Sequence, residues 1–141
     1  MLNHREFTNK WLGRYNDYDL KWNSQCTDLM RQYVKDIYGL NPYAAIPTTG
    51  AAKNIYYNFR DNQYFKKIPN TPTGIPPQGA ILFFKTSIWY PWLFGWAGHV
   101  GIIDSANINS LILFNQNYPT GSPCNFRKFT YKDTLGWMIR K

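Results

Sequence analysis

The sequence predicts an α+β domain, with helices first and an antiparallel sheet second. In the first 40 residues, apolar side chains recur at three- and four-residue spacing. After Gly79 they fall instead into short runs and alternations of strand length. A Pro- and Gly-rich piece, Pro69 to Gly79, separates the two patterns and reads as one surface loop.

The elements follow in order. Glu6 to Arg14 is expected to form a short helix around Phe7 and Leu12, and Asn16 to Asn23 a polar loop. A longer helix is expected over Ser24 to Tyr38, where Leu29, Met30, Tyr33, Val34 and Ile37 share a face. Ser24 is its expected N-cap and Gly39 its expected end. A third short helix is expected from Ala51 to Phe59. Ala80–Phe84 then reads as a strand, and His99–Ile103 and Leu111–Asn117 as a hairpin about the turn-like Asn107–Asn109. Phe126–Tyr131 and Trp137–Ile139 add two more strands. No linker, repeat or low-complexity stretch divides the chain, so residues 1–141 are expected to form one domain.

Composition excludes several classes. With 44% hydrophobic and 18% aromatic residues the chain is too apolar to be disordered. Glu6 is the only glutamate, which argues against a glycosidase built on paired glutamates. Two cysteines, Cys26 and Cys124, do not make a disulfide scaffold. Met1 to Tyr15 lacks an apolar core, so no signal peptide is expected. Thr86 to Ile103 carries no Asp, Glu, Lys or Arg. Pro91, Gly95, Gly98 and Gly101 suit a loop entering a strand, so no membrane span is expected.

Cys26 lies in the first turn of the predicted long helix, where unsatisfied N–H groups and the helix dipole favour a thiolate. It is a candidate nucleophile; its bland alternative is a small buried hydrophobe. His99 opens a strand of small and branched residues and could reach a helix N-terminus from the sheet edge, unless it is only structural. In a simple hairpin register Asn115 lies beside the start of the His99 strand, where its oxygen could accept an imidazole N–H. The alternative there is a polar strand end entering the turn Tyr118–Gly121.

Gln25-Cys26-x-Asp28-Leu29 at a helix start, Gly79-Ala-Ile-Leu-Phe, Gly98-His99-Val100-Gly101-Ile102 and Asn115-Gln116-Asn117 occur in this order. Together with Thr49–Asn54 and Gly136–Arg140, they resemble the CHAP domain, a family of papain-like cysteine amidohydrolases and endopeptidases of peptidoglycan found in phage endolysins. The resemblance runs from about Leu12 to Arg140. It implies a papain-like CHAP fold, Cys26 as nucleophile, His99 as general base and then acid, and Asn115 as the orienting residue. Asn117 would support the site, and Gln25 is a candidate oxyanion donor beside the Cys26 N–H. Many members have Glu-Gln-Asn where this chain has Asn115-Gln116-Asn117, so here an amide replaces a carboxylate. Asp104, at the other end of the strand, is the alternative orienting residue.

Asp17, Asp19, Lys21, Asn23 and Asp28 fall at positions 1, 3, 5, 7 and 12 of a loop entering a helix, the spacing of an EF-hand. A structural Ca²⁺ is expected there, bracing the loop that delivers Cys26. Some endolysins of the family bind calcium in the equivalent loop. Lys21 could offer only its carbonyl, Trp22 replaces the usual glycine, and Asp28 is shorter than the usual glutamate. The alternative is a polar loop that caps the helix.

Net charge is +8, spread along the chain without a Lys/Arg-rich run or a nucleic-acid recognition motif. Attraction to anionic wall polymers is expected rather than nucleic-acid binding. The aromatic stretch Trp89–Trp96 either walls a substrate groove or is buried. The expected protein is a monomeric, phage-encoded hydrolase of an amide bond in bacterial peptidoglycan, serving lysis or carried on the virion. The alternatives are a non-enzymatic phage structural or wall-binding protein on the same fold and, further off, a basic nucleic-acid-binding module.

Overall fold

The computed structural model describes residues 1–21, 25–85 and 97–141. Four helices come first: α1 (His4–Trp11), α2 (Cys26–Tyr38), α3 (Pro42–Ala45) and α4 (Ala52–Asn58). Six strands follow: β1 (Phe65–Pro69), β2 (Ile81–Phe84), β3 (His99–Ala106), β4 (Leu111–Asn115), β5 (Asn125–Phe129) and β6 (Thr134–Arg140). They form one antiparallel sheet in the order β1-β6-β2-β3-β4-β5, the α+β arrangement read from the sequence.

Two helix starts differ from expectation. α1 begins at His4 because Asn3 and Glu6 form a reciprocal capping box: the Glu6 N–H donates to Asn3 Oδ1 at 2.8 Å, and the Asn3 N–H to Glu6 Oε1 at 3.0 Å. α2 has Gln25 rather than Ser24 as its N-cap, its N–H donating to Asp28 Oδ2 at 2.8 Å. Its end falls where expected: Gly39 takes φ 66°, a left-handed conformation that costs glycine nothing, and its N–H reaches the Lys35 carbonyl at 2.9 Å. α3 is four residues held by Asn41 Oδ1 and started by Pro42, too short to leave a periodic pattern.

β1 was not expected. Lys66 and Lys67 break the apolar alternation, and the strand lies at an edge of the sheet, where lysines and a terminal proline discourage pairing with another chain. The Pro- and Gly-rich loop does separate β1 from β2. The last five residues of the Thr86–Ile103 stretch, His99–Ile103, begin β3, and no described helix is long and apolar enough to cross a membrane.

The sheet is apolar on both faces. On one, Leu29, Met30, Tyr33 and Val34 of α2 pack with Ile81, Phe83, Val100, Ile102 and Phe114. On the other, Leu82, Phe84, Ile103, Leu113, Phe129 and Trp137 form a second cluster. Alternation along β3 sends Val100 and Ile102 to the first face and His99 and Ile103 to the second. α2 lies against β3, which brings its N-terminus beside the start of that strand.

Candidate active site

His99 is 5% exposed and sits in an aromatic box. Phe84 stacks on it at 6.2 Å between ring centroids, and Tyr118 and Phe129 lie at 5.3 and 6.3 Å. Its Nε2 meets Asn115 Oδ1 at 2.9 Å. The Asn115 amide is itself oriented, because its Nδ2 donates to the Asn125 carbonyl at 3.3 Å and to Asn125 Oδ1 at 3.2 Å. With the amide nitrogen committed to Asn125, Oδ1 faces the imidazole and must accept. The proton of neutral His99 is therefore assigned to Nε2, which leaves the lone pair on Nδ1. Burial pushes the imidazole pKa down to about 4, the Asn115 bond opposing the shift, so His99 is neutral at pH 7.

Cys26 is the first residue of α2 and is partly exposed. Its sulfur receives the backbone N–H of Val100, the residue that follows His99. The expected lowering of its pKa by the helix terminus is overturned. Burial pushes the thiol up to about 11, and the nearby Asp28 adds to this. The N–H groups of Val100, Thr27 and Cys26 favour the thiolate but do not offset the desolvation. At pH 7 the thiol and the imidazole are therefore both neutral.

Gly98 places His99. It has φ 73°, and an added Cβ would overlap the Phe84 carbonyl oxygen and crowd Lys53. Gly98→Ala is expected to lower stability by about 2 kcal/mol or more, read as a lower urea midpoint at unchanged slope. A midpoint equal to wild type would show that the β2–β3 edge yields to the added methyl.

The other site candidates divide. Gln25 is held at its backbone, its N–H on Asp28 and its carbonyl accepting from Gln116 Nε2 at 2.8 Å. Asn117 takes φ 63° and closes the turn after β4: its Oδ1 accepts the Gly121 N–H at 2.7 Å, and its own N–H reaches the Ser122 carbonyl. Asp104 is paired elsewhere, with His4 Nε2 at 2.8 Å, while His4 Nδ1 meets the Tyr33 hydroxyl at 3.0 Å. His4 thereby joins α1, α2 and β3. Cys124 is fully buried, and its thiol donates to Gln116 Oε1 at 3.3 Å.

Three of the five candidate metal ligands converge. Asp17, Asp19 and Asp28 each offer an oxygen, and these lie within 4.8 Å of one another. Burial and the charges of Asp19 and Asp17 push the Asp28 carboxyl up to about 6, against the Gln25 N–H that favours its anion. Asp17 Oδ1 is buried without a hydrogen-bond partner. The Lys21 N–H donates to Asp19 Oδ1 at 2.9 Å, and Leu20, at φ 58°, turns the loop. Asn23 and the aromatic stretch 89–96 lie outside the described residues. Buried Arg31 lies next to the cluster. It donates to the carbonyls of Pro42, Ile46 and Thr48 and stacks 4.4 Å over Tyr43. Sequence reasoning missed Arg31 and Gln116, whose partners lie far away along the chain.

A cysteine at a helix N-terminus against Val100, the residue after the Asn115-bonded His99, on an antiparallel sheet of this topology, is an arrangement of the α+β class. The profile of the CHAP domain matches residues 13–117, and the chain belongs to that family. Among solved structures, it resembles the crystal structure of the wild-type endolysin LysIME-EF1. That match has a TM-score of 0.73 at 20% identity, over 99% of this chain and 64% of that one. It also resembles Ly7917, with a TM-score of 0.57 at 15% identity, over 95% of this chain and 60% of that one. The chain thus spans somewhat less than two thirds of either relative, and these likenesses are of fold. No curated protein matches.

Proposed function

We propose that this domain hydrolyses an amide bond of bacterial peptidoglycan by thiol catalysis. The observation that carries the reading is the fixed Asn115 amide, which holds the proton of His99 on Nε2 and so keeps the lone pair on Nδ1. CHAP membership and the endolysin-like fold support the substrate class. In the first step the Cys26 Sγ–H proton passes to His99 Nδ1 as sulfur bonds to the carbonyl carbon. The Cys26 backbone N–H stabilises the oxyanion, with Gln25 as the second candidate donor. The imidazolium then protonates the departing amine as the C–N bond breaks, leaving a thioester. Water, losing its proton to His99, attacks the thioester, and the thiol is restored. The neutral resting pair makes proton transfer part of the attack rather than its precondition.

The mutually repelling carboxylates of the acidic loop and the orphaned Asp17 oxygen support a hard divalent cation there. Asp17, Asp19 and Asp28 would hold calcium, with the Lys21 carbonyl and Asn23 contributing by their spacing. The ion would neutralise the loop that leads into Cys26. The +8 charge favours approach to anionic wall polymers. We take the chain for a phage-encoded lysis or virion enzyme.

Iodoacetamide tests this reading. Alkylation of Cys26, mapped by mass spectrometry, is expected to abolish clearing of purified Gram-positive walls while buried Cys124 stays unmodified. Walls added first should slow the labelling. Undiminished clearing by fully Cys26-alkylated protein would end the thiol mechanism.

A further inference from the structure

Gln116 follows β4, is fully buried, and uses both ends of its amide on other segments. Its Oε1 accepts the Asn16 N–H at 2.6 Å and the Cys124 thiol at 3.3 Å. Its Nε2 donates to the Asn16 carbonyl at 2.8 Å and to the Gln25 carbonyl at 2.8 Å. Asn16 immediately precedes the acidic loop, and Gln25 immediately precedes Cys26. One side chain therefore joins Asn16 to Gln25 at the neck of the 16–25 segment, alongside a bond from Asn16 Nδ2 to Gln32 Oε1 of α2 at 3.1 Å. A further tie lies just outside the segment, where the Gly13 N–H meets the Cys124 carbonyl and the Cys124 N–H meets the Arg14 carbonyl.

We infer that Gln116 is a positioning residue: by clamping Asn16 to Gln25 it sets where α2 begins, and with it the place of the Cys26 sulfur against the Val100 N–H. The inference rests on Cys26 being the nucleophile only for its catalytic consequence. An amide is the group the neck requires, because two carbonyls need donors and one N–H and one thiol need an acceptor. A carboxylate would face both carbonyls without a proton to offer, and a thioether would leave all four groups unmatched. The role differs from that of Asn115, which bonds the imidazole itself.

The test compares wild type with Gln116→Met, Gln116→Glu and a control, His4→Ala, which loosens the fold at the distant joint among α1, α2 and β3. Amide hydrogen exchange reads the neck without any substrate. In Gln116→Met the Asn16 N–H is expected to exchange at least about 10²-fold faster, with the α1 and β6 amides holding their protection. In Gln116→Glu the Asn16 amide keeps its acceptor and stays protected, while the carbonyl side of the neck is lost. On walls, both Gln116 variants should lose about 10²-fold in maximal clearing rate with the half-saturating wall concentration moved less than about threefold. His4→Ala should change neither quantity, even at an equal fall in melting temperature. Equal effects of His4→Ala and Gln116→Met would overturn the positioning role, as would failure of both Gln116 variants to fold. If wild type clears no walls but Asn16 exchange rises in Gln116→Met alone, the hydrolase reading fails and the neck closure stands.

Discussion

Replacing His99 with alanine is expected to lower wall clearing by about 10³- to 10⁴-fold, close to the residual left by Cys26→Ser, and to do so at unchanged substrate binding. The reason is the resting charge state. A thiol held up to about 11 supplies almost no thiolate at pH 7, so attack depends on a base that takes the proton in the same event. The buried imidazole is available for this over most of the pH range, because it becomes protonated only near pH 4. The acid limb of clearing should therefore lie well below the ordinary histidine value of 6.5, with activity kept at pH 5. Asn115→Asp should move that limb upward by about one unit or more, since a carboxylate stabilises the imidazolium where an amide does not. The same substitution sets a carboxylate against the Asn125 carbonyl and Oδ1, so a lower melting temperature should accompany it. Clearing by His99→Ala within tenfold of wild type would remove His99 from the chemistry.

What could be read in advance was whatever local spacing controls. The hairpin register put Asn115 beside the start of β3, and a loop spacing gathered Asp17, Asp19 and Asp28; the structure shows both juxtapositions. What could not be read depends on burial or on contacts distant in sequence. The field of a helix terminus predicts a depressed Cys26 pKa, but desolvation by the packed sheet reverses the sign, and packing is not a local property. His4 and Asp104 meet across most of the chain, and Gln116 reaches back to Asn16 at similar separation. β1 escaped because edge protection by Lys66 and Lys67 erases the alternation that marks a strand. The α1 start was a different kind of miss, since Asn3 and Glu6 stand at capping-box spacing in the sequence itself.

Calcium should raise the melting temperature by roughly 10 °C at a hundredfold excess over its Kd, and the rise should grow between pH 4 and pH 6. The sign follows from two groups that oppose each other in the metal-free chain. His99 is protonated near 4 when folded and near 6.5 when unfolded, so the unfolded chain binds more protons and stability falls as pH drops through that window. Asp28 does the reverse. Its folded value of about 6 stands above the ordinary 3.8, so the folded chain binds more protons and stability is lost as pH rises through about 6. A cation among Asp17, Asp19 and Asp28 holds Asp28 ionised and cancels the second effect while leaving the first. The calcium-minus-stripped difference in melting temperature removes every group the ion does not touch. That difference should be small at pH 4, where protons compete for the carboxylates, and near its full value above pH 6. Asp17→Asn should abolish most of it, because the orphaned Oδ1 has no other partner to lose. A difference that ignores pH, or that survives Asp17→Asn intact, would locate any bound calcium somewhere other than this loop.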